Sequence, residues 1–272
     1  MFRIGLLFFS LFHLSQAYDD HLSHVAVNIS QAAYCMTPTS LWNCETCDVG
    51  NTYDDILVES GEQVIFGYNG EYDSVFVSFR GSENIQNWIA NIQVSKTTPY
   101  QDTNIAVEQG FYKLFEKLRP DIETTVHKLT QKYNTRQLLI TGHSLGAALG
   151  TLYAFDILYH EKDYKIQSLI TFGSPRVGNE EFAKRFESYP IYSKRVTHYY
   201  DIVPHVPEEF MGYRHISQEV WYNEANTKYT LCDDANGAED DQCSDSCAPT
   251  KCTSTSDHLE YLQIKMGEGG YC

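Results

Sequence analysis

Two short runs rich in β-branched and aromatic residues, Gln63-Val-Ile-Phe-Gly-Tyr68 and Ser74-Val-Phe-Val-Ser-Phe79, flank Asn69-Gly70, a pattern that predicts a β-hairpin. Further on the period changes: Phe111, Leu114, Phe115 and Leu118 recur at helical spacing, and after Pro120 the pattern resumes with Ile122, Val126 and Leu129. Asn134 can stop that helix. Gln137-Leu-Leu-Ile-Thr141 is then a continuous apolar run of the kind a strand buried on both faces requires. A helix is expected over residues 142–160, and Ile166–Phe172 and Lys194–Tyr199 read as two more strands. Strand, helix and strand in this order imply right-handed crossovers and a mostly parallel sheet with helices on both faces, an α/β fold. From Cys232 to Ser256 apolar residues are scarce and acids and cysteines frequent, which predicts a bridged surface loop.

The N-terminus adds a compartment to this picture. Met1–Ala17 carries one early Arg3, an apolar run from Ile4 to Leu14 and a small-residue end, the build of a signal peptide, so residues 18–272 are expected to form a single secreted, extracellular domain. No later segment reaches the length of a transmembrane helix, and no transmembrane anchor is expected. The formal net charge of −16 repels nucleic acid and anionic headgroups, so any lipid partner should be neutral, although solubility alone also accounts for such a charge. Eight cysteines, at 35, 44, 47, 232, 243, 247, 252 and 272, suit a disulfide framework in an oxidising compartment. Spacing favours Cys44–Cys47 and Cys247–Cys252, and a zinc site is the weaker alternative because two clean CxxC pairs are missing. Asn28-Ile29-Ser30 is a glycosylation sequon, which makes Asn28 a candidate glycoprotein site.

The chemistry concentrates at Gly142-His143-Ser144-Leu145-Gly146, a G-x-S-x-G sequence lying directly between the apolar strand and a helix containing Ala147, Ala148 and Gly150. In that context Ser144 is the candidate nucleophile, its hydroxyl held at a helix N-terminus. A serine needs a histidine to take its proton and a carboxylate to orient that histidine, in the chain order Ser, acid, His. Asp201 follows the strand ending at Tyr199, where a doubly wound sheet presents functional loops. The rival acids Asp156, Asp233, Asp234, Asp240 and Asp241 read as solvated surface charge. His258, the last histidine, precedes Leu259-Glu-Tyr-Leu262, which would dock it against the core; His215 is its strongest competitor, with a backbone-bonded structural role as the plainer account.

These residues resemble the class 3, fungal-type triacylglycerol lipases and their feruloyl-esterase relatives, within the α/β-hydrolase superfamily. The likeness rests on Val77-Ser-Phe-Arg-Gly-Ser82, Thr141-Gly-His-Ser-Leu-Gly146, Thr171-Phe-Gly-Ser-Pro-Arg-Val-Gly-Asn179, Arg195-Val-Thr-His-Tyr-Tyr-Asp-Ile-Val-Pro204 and Asp257-His258. It implies an α/β-hydrolase fold, a Ser144, Asp201 and His258 triad, and a bridge between Cys35 and Cys272. It also implies Ser82 as the second oxyanion donor beside the backbone N–H of Leu145, which follows the nucleophile.

Ile85, Trp88, Ile89 and Ile92 form one apolar stripe on a short helix after Ser82. Pattern alone suits a permanently buried face; the resemblance implies a short helical lid that opens at a lipid–water interface. The feruloyl-esterase relatives are more polar there and lack the tryptophan, so Trp88 favours an acylglycerol or other lipid ester as substrate. A soluble-ester or feruloyl-type esterase, and a non-catalytic lipid-binding or storage protein, are the other readings. The chemistry calls for no metal or organic cofactor, and the acids between Asp233 and Asp245 lack EF-hand spacing.

Overall fold

The computed structural model describes residues 17–37, 42–47, 50–59, 61–92, 94–216, 218–233, 239–248 and 250–267. Most of the expected signal peptide therefore lies outside the described residues. Eight strands form one sheet: β1 (Asn51–Glu59), β2 (Glu62–Asn69), β3 (Ser74–Phe79), β4 (Gln137–His143), β5 (Lys165–Phe172), β6 (Ser193–His198), β7 (Glu219–Tyr222) and β8 (Tyr229–Leu231). They lie side by side in chain order. The β1–β2, β2–β3 and β7–β8 pairs are antiparallel, and β3 through β7 run parallel.

Alternation along each strand sends side chains into two separate cores. Val75, Val77, Phe79, Leu138, Ile140 and Leu169 face helices α3 (Gln109–Tyr133) and α4 (Leu145–Tyr159), together with Phe182 and Phe186 of α5 (Glu180–Glu187). Phe76, Leu139, Ile170, Phe172 and Val196 face α1 (Asp20–Cys35) instead. Sequence pattern had not marked α1. It is capped by Asp19, whose carboxylate accepts the Leu22 N–H at 2.9 Å, and it buries Leu22, Val25, Ala26, Ile29, Ala32 and Ala33 against the sheet. The short helix α2 (Ile85–Asn91) follows the C-terminal end of β3.

Several elements differ from expectation in instructive ways. Pro120 sits inside an uninterrupted α3, because its missing N–H frees only the carbonyl of Glu116, on the solvent side of the helix. Asn134 ends α3 as expected, in the left-handed conformation at φ 52°. The β2–β3 connection is longer than an Asn-Gly turn, since Asn69 pairs with Ser74 across the ladder. There the Asn69 side chain accepts the Tyr72 N–H at 2.9 Å, and Asp73 takes the positive φ of 46°.

The expected bridges Cys44–Cys47 and Cys247–Cys252 are formed, and Cys232 pairs with Cys243. Cys35 is also disulfide-bonded, while Cys272 of its expected bridge lies outside the described residues. One expectation is corrected: Asp156 is no surface charge but is buried, with Arg119 and Lys162 closing over it. A charge on a fully packed helix is held in the protein only when paired, and the sequence did not show which cations fold back onto α4.

Candidate active site

Ser144 stands where β4 ends and α4 begins, with φ 60° and ψ −128°. This is costly backbone for a residue with a side chain, and strain of that kind marks functional positions. The turn closes only because its neighbours are small. A Cβ on Gly146 would come within 2.0 Å of the Phe79 carbonyl oxygen, and one on Gly142 within 2.5 Å of the Gly146 oxygen. The Ser144 N–H is anchored to the Phe172 carbonyl at 2.9 Å. Its hydroxyl is buried and has no hydrogen-bond partner among the described residues.

Asp201 and His258 are brought together from separate segments. After the cysteine-rich loop the chain returns at Ser254, which pairs with Asp201 as an isolated parallel bridge; Ser254 N–H donates to the Tyr200 carbonyl at 3.0 Å and Ile202 N–H to the Ser254 carbonyl at 3.2 Å. Ser254 then caps the single turn α6 (Thr255–His258) by accepting the Asp257 N–H at 3.0 Å. That turn delivers His258, whose Nδ1 donates to Asp201 Oδ2 at 2.8 Å with both side chains fully buried. The other oxygen, Oδ1, accepts the Val203 N–H at 2.8 Å, and the Tyr261 hydroxyl donates to Oδ2. Burial, and then the adjacent Asp201 charge, hold the Tyr261 phenol well above its usual range, so it stays a donor.

With Nδ1–H committed to Asp201, His258 keeps Nε2 as its basic lone pair, and that atom too lacks a partner among the described residues. Ser144 and His258 flank the same stretch of chain: Phe172 takes the Ser144 N–H, and a Cβ on Gly173 would meet the His258 ring at 2.9 Å. A hydrogen bond between nucleophile and base is often long or misaligned until substrate binds, so its absence here leaves both roles intact.

Sequence reasoning overlooked His143, although it lies inside the G-x-S-x-G pattern. Its ring packs on the ring of His258 with centroids 4.4 Å apart, and its Nε2 donates to the His258 carbonyl at 2.8 Å. Its Nδ1 accepts the Tyr34 hydroxyl at 2.7 Å, which ties α1 to the site. Burial, reinforced by His258, holds His143 well below the usual histidine range, so it is neutral. His215 takes the structural role that was its plainer reading, with Nε2 bonded to the Pro204 carbonyl at 2.7 Å. Arg176 was quoted in a motif without a role. It makes a two-pronged pair with Glu239 at 2.9 and 3.0 Å and fastens the acidic loop to the sheet's C-terminal edge.

The N–H of Leu145, at the first position of α4, has no intrahelical partner and lies next to Ser144. Ser82 is half-buried one residue after Gly81, where a Cβ would lie 3.0 Å from that of Ser144. The Ser82 hydroxyl reaches the carbonyl of Asn84 at 3.4 Å, and Asn84 caps α2. No residue of α2 is fully buried. Trp88 stacks on Phe111 at 6.1 Å, and Trp88 and Ile92 rest on the α3–α4 core while Ile85 and Ile89 are half-covered. The apolar stripe of α2 is thus partly covered, resting on the core through Trp88 and Ile92.

A strained serine between a parallel strand and a helix, followed along the chain by an acid and a histidine that meet beside it, defines an α/β-hydrolase suited to acyl transfer. The chain belongs to the class 3 lipase family, whose pattern matches residues 76–211. It is 30% identical to the lipase of Rhizomucor miehei over 249 residues, covering 88% of this chain and 67% of that protein. It is 34% identical over 206 residues to the secreted mono- and diacylglycerol lipase 1 of Fusarium solani, covering 71% of this chain and 60% of that one. The solved structure of the Rhizomucor miehei triacylglyceride lipase matches with a TM-score of 0.80 and 29% identity, over 90% of this chain and 94% of that one. The match thus spans about two thirds or less of these curated relatives' full length.

Proposed function

We propose that the protein is a secreted serine carboxylesterase that hydrolyses acylglycerols, triacylglycerol foremost, at a lipid–water interface through an acyl-enzyme on Ser144. The observation that carries this reading is the Asp201-held His258, with a free Nε2, beside the buried and unbonded hydroxyl of Ser144. His258 Nε2 takes the hydroxyl proton as Ser144 Oγ attacks the ester carbonyl carbon. Asp201 fixes the tautomer and stabilises the imidazolium that forms. The N–H of Leu145 and the N–H and hydroxyl of Ser82 receive the oxyanion, and loss of one such donor costs about 2.7–4 kcal/mol of barrier. Collapse expels the glycerol oxygen, which leaves with the proton from His258. Water, deprotonated by the same nitrogen, then releases the fatty acid and restores Ser144.

The half-covered apolar face of α2 supports its role as a lid. Exposing Ile85, Trp88, Ile89 and Ile92 in water would cost up to several kcal/mol, at roughly 1.5–3 kcal/mol for each large side chain, and a lipid surface offsets most of that. Near-complete burial of Ser144 suits a lid closed in water. Secretion rests on the character of residues 1–17 and on the disulfides. Within this reading Asn28 carries a glycan: its amide is half-buried on α1 and donates to the His24 carbonyl at 2.8 Å, a bond one remaining amide hydrogen could keep.

Hydrolysis of tributyrin across its solubility limit tests the proposal. A jump in rate above the limit, absent from Ser144→Ala, is expected. Activity without the jump would make the protein a soluble-ester esterase, and inactivity of the folded wild type would make it a binding protein. Comparing tri-, di- and monoacylglycerols in the same assay separates the two substrate ranges that the relatives' names describe.

A further inference from the structure

Phe210 is 79% exposed, the most open large apolar side chain among the described residues, and no step of the proposed chemistry uses it. It crowns the single turn Glu209–Met211, with Met211 also open to solvent beside it. The turn is held firmly. Gly212 closes it in the left-handed conformation at φ 77°, and Arg214 pairs with Glu209. Lys96, from the segment that trails the lid helix, donates to the Met211 carbonyl at 2.5 Å and sits 4.2 Å from the centre of the Tyr213 ring. The Tyr213 hydroxyl in turn donates to the Ser95 carbonyl at 3.3 Å. Val94, two residues before Lys96, is half exposed.

Two segments are thus fastened into one unit, and both leave the C-terminal ends of parallel strands, the edge that holds Ser144 and Asp201. We propose that this unit is a second lipid-contacting surface, with Phe210 its anchor in a neutral lipid interface and Met211 and Val94 beside it; the inference rests on the lipase reading. A large rigid aromatic held out on a braced turn suits insertion among acyl chains. Neutral lipid is the matching partner, because Glu208 stands close before the anchor, Glu209 is already matched by Arg214, and the whole chain carries a net charge of −16. Docking through Phe210 would bring the trailing hinge of the lid to the interface in the same event.

Adsorption to triolein droplets coated with phosphatidylcholine, measured for Ser144→Ala and for the same protein carrying Phe210→Ser, tests this. The serine variant should bind about tenfold more weakly, Phe210→Trp should bind like the parent, and droplets coated with phosphatidylglycerol should bind the parent less well at low salt. Phe210→Ser with an intact Ser144 should still hydrolyse a soluble nitrophenyl ester at the wild-type rate, which reports an undamaged fold. Unchanged droplet binding by Phe210→Ser, in a protein that does show interfacial activation, overturns the anchor and leaves the lipase reading standing. A wild type that hydrolyses soluble esters but binds no droplets overturns both. A concentration-dependent dimer abolished by Phe210→Ser, with droplet binding intact, assigns the patch to a second copy of the chain and also overturns the anchor.

Discussion

The imidazole of His143 lies against that of His258, centroids 4.4 Å apart, and donates a hydrogen bond to the His258 backbone carbonyl at 2.8 Å. The residue before the nucleophile therefore buttresses the base, and through Tyr34 it passes that support to α1. His143→Phe fills the space but removes the donor to the buried His258 carbonyl and the ring nitrogen that accepts from Tyr34. Leaving a buried polar group unsatisfied costs about 1–3 kcal/mol, so unfolding free energy should drop by a few kcal/mol. kcat/KM on a soluble ester should fall at least about tenfold as His258 loosens, because small misplacements of a catalytic group are expensive. Wild-type kinetics in that variant would show that the contact has no part in positioning.

His143 and His215 are both held neutral by burial, well below the usual histidine range. In the unfolded chain both take protons near pH 6.5, so the unfolded state binds more protons below that value. Their contribution is complete above about pH 6.5 and is lost as pH falls from there toward the depressed folded values. Denaturant unfolding between pH 7 and pH 5 should show stability dropping by up to about 2.7 kcal/mol per pH unit, from two protons at about 1.36 kcal/mol each. Replacing His215 with Asn should flatten that slope by about half.

Asp201 accepts from His258, Val203 and Tyr261. Asp201→Asn keeps the shape but favours the wrong tautomer of His258, and kcat should fall by about four orders of magnitude, the scale known for the equivalent change in a serine protease triad. Tyr261→Phe removes one of three donors and should cost less than about tenfold. Equal losses in the two variants would mean that the tyrosine, not the carboxylate charge, governs the histidine.

Burial pushes the Glu239 carboxyl up, but the charges and hydrogen bonds around it, chiefly from His215 and Arg176, outweigh this and hold it down at about 2. Because His215 is itself neutral, the two-pronged bond to Arg176 is the partner that matters. The folded value lies below the ordinary glutamate value of about 4.3, so the pair stabilises the fold above about pH 4.3 and is lost as pH falls toward 2. Glu239→Gln leaves Arg176 buried and uncompensated and should cost about 3–5 kcal/mol in chemical denaturation. Adding Arg176→Met should restore much of it.

Local sequence carried a great deal here. The hairpin, α3, the strand–elbow–helix around Ser144 and the two following strands each follow from a hydrophobic period that only one backbone geometry can bury. The short bridges Cys44–Cys47 and Cys247–Cys252 follow from proximity along the chain. Within the site only the serine elbow is a local signal; the residues alone leave His215 as a rival of His258, and it is the family resemblance that implies the Ser144, Asp201 and His258 set.

What the sequence determined by itself was the type of chemistry and the strands that present it; what only the tertiary structure decided was which distant groups meet. His143 under His258, Tyr261 on Asp201, Glu239 on Arg176, the buried pairing of Asp156 and the brace between Lys96 and Met211 all join residues that no spacing relates. Periodicity encodes which face of an element turns inward. The partner that a buried polar group finds there is set by how whole elements pack, where each unsatisfied donor or charge costs enough to force a match.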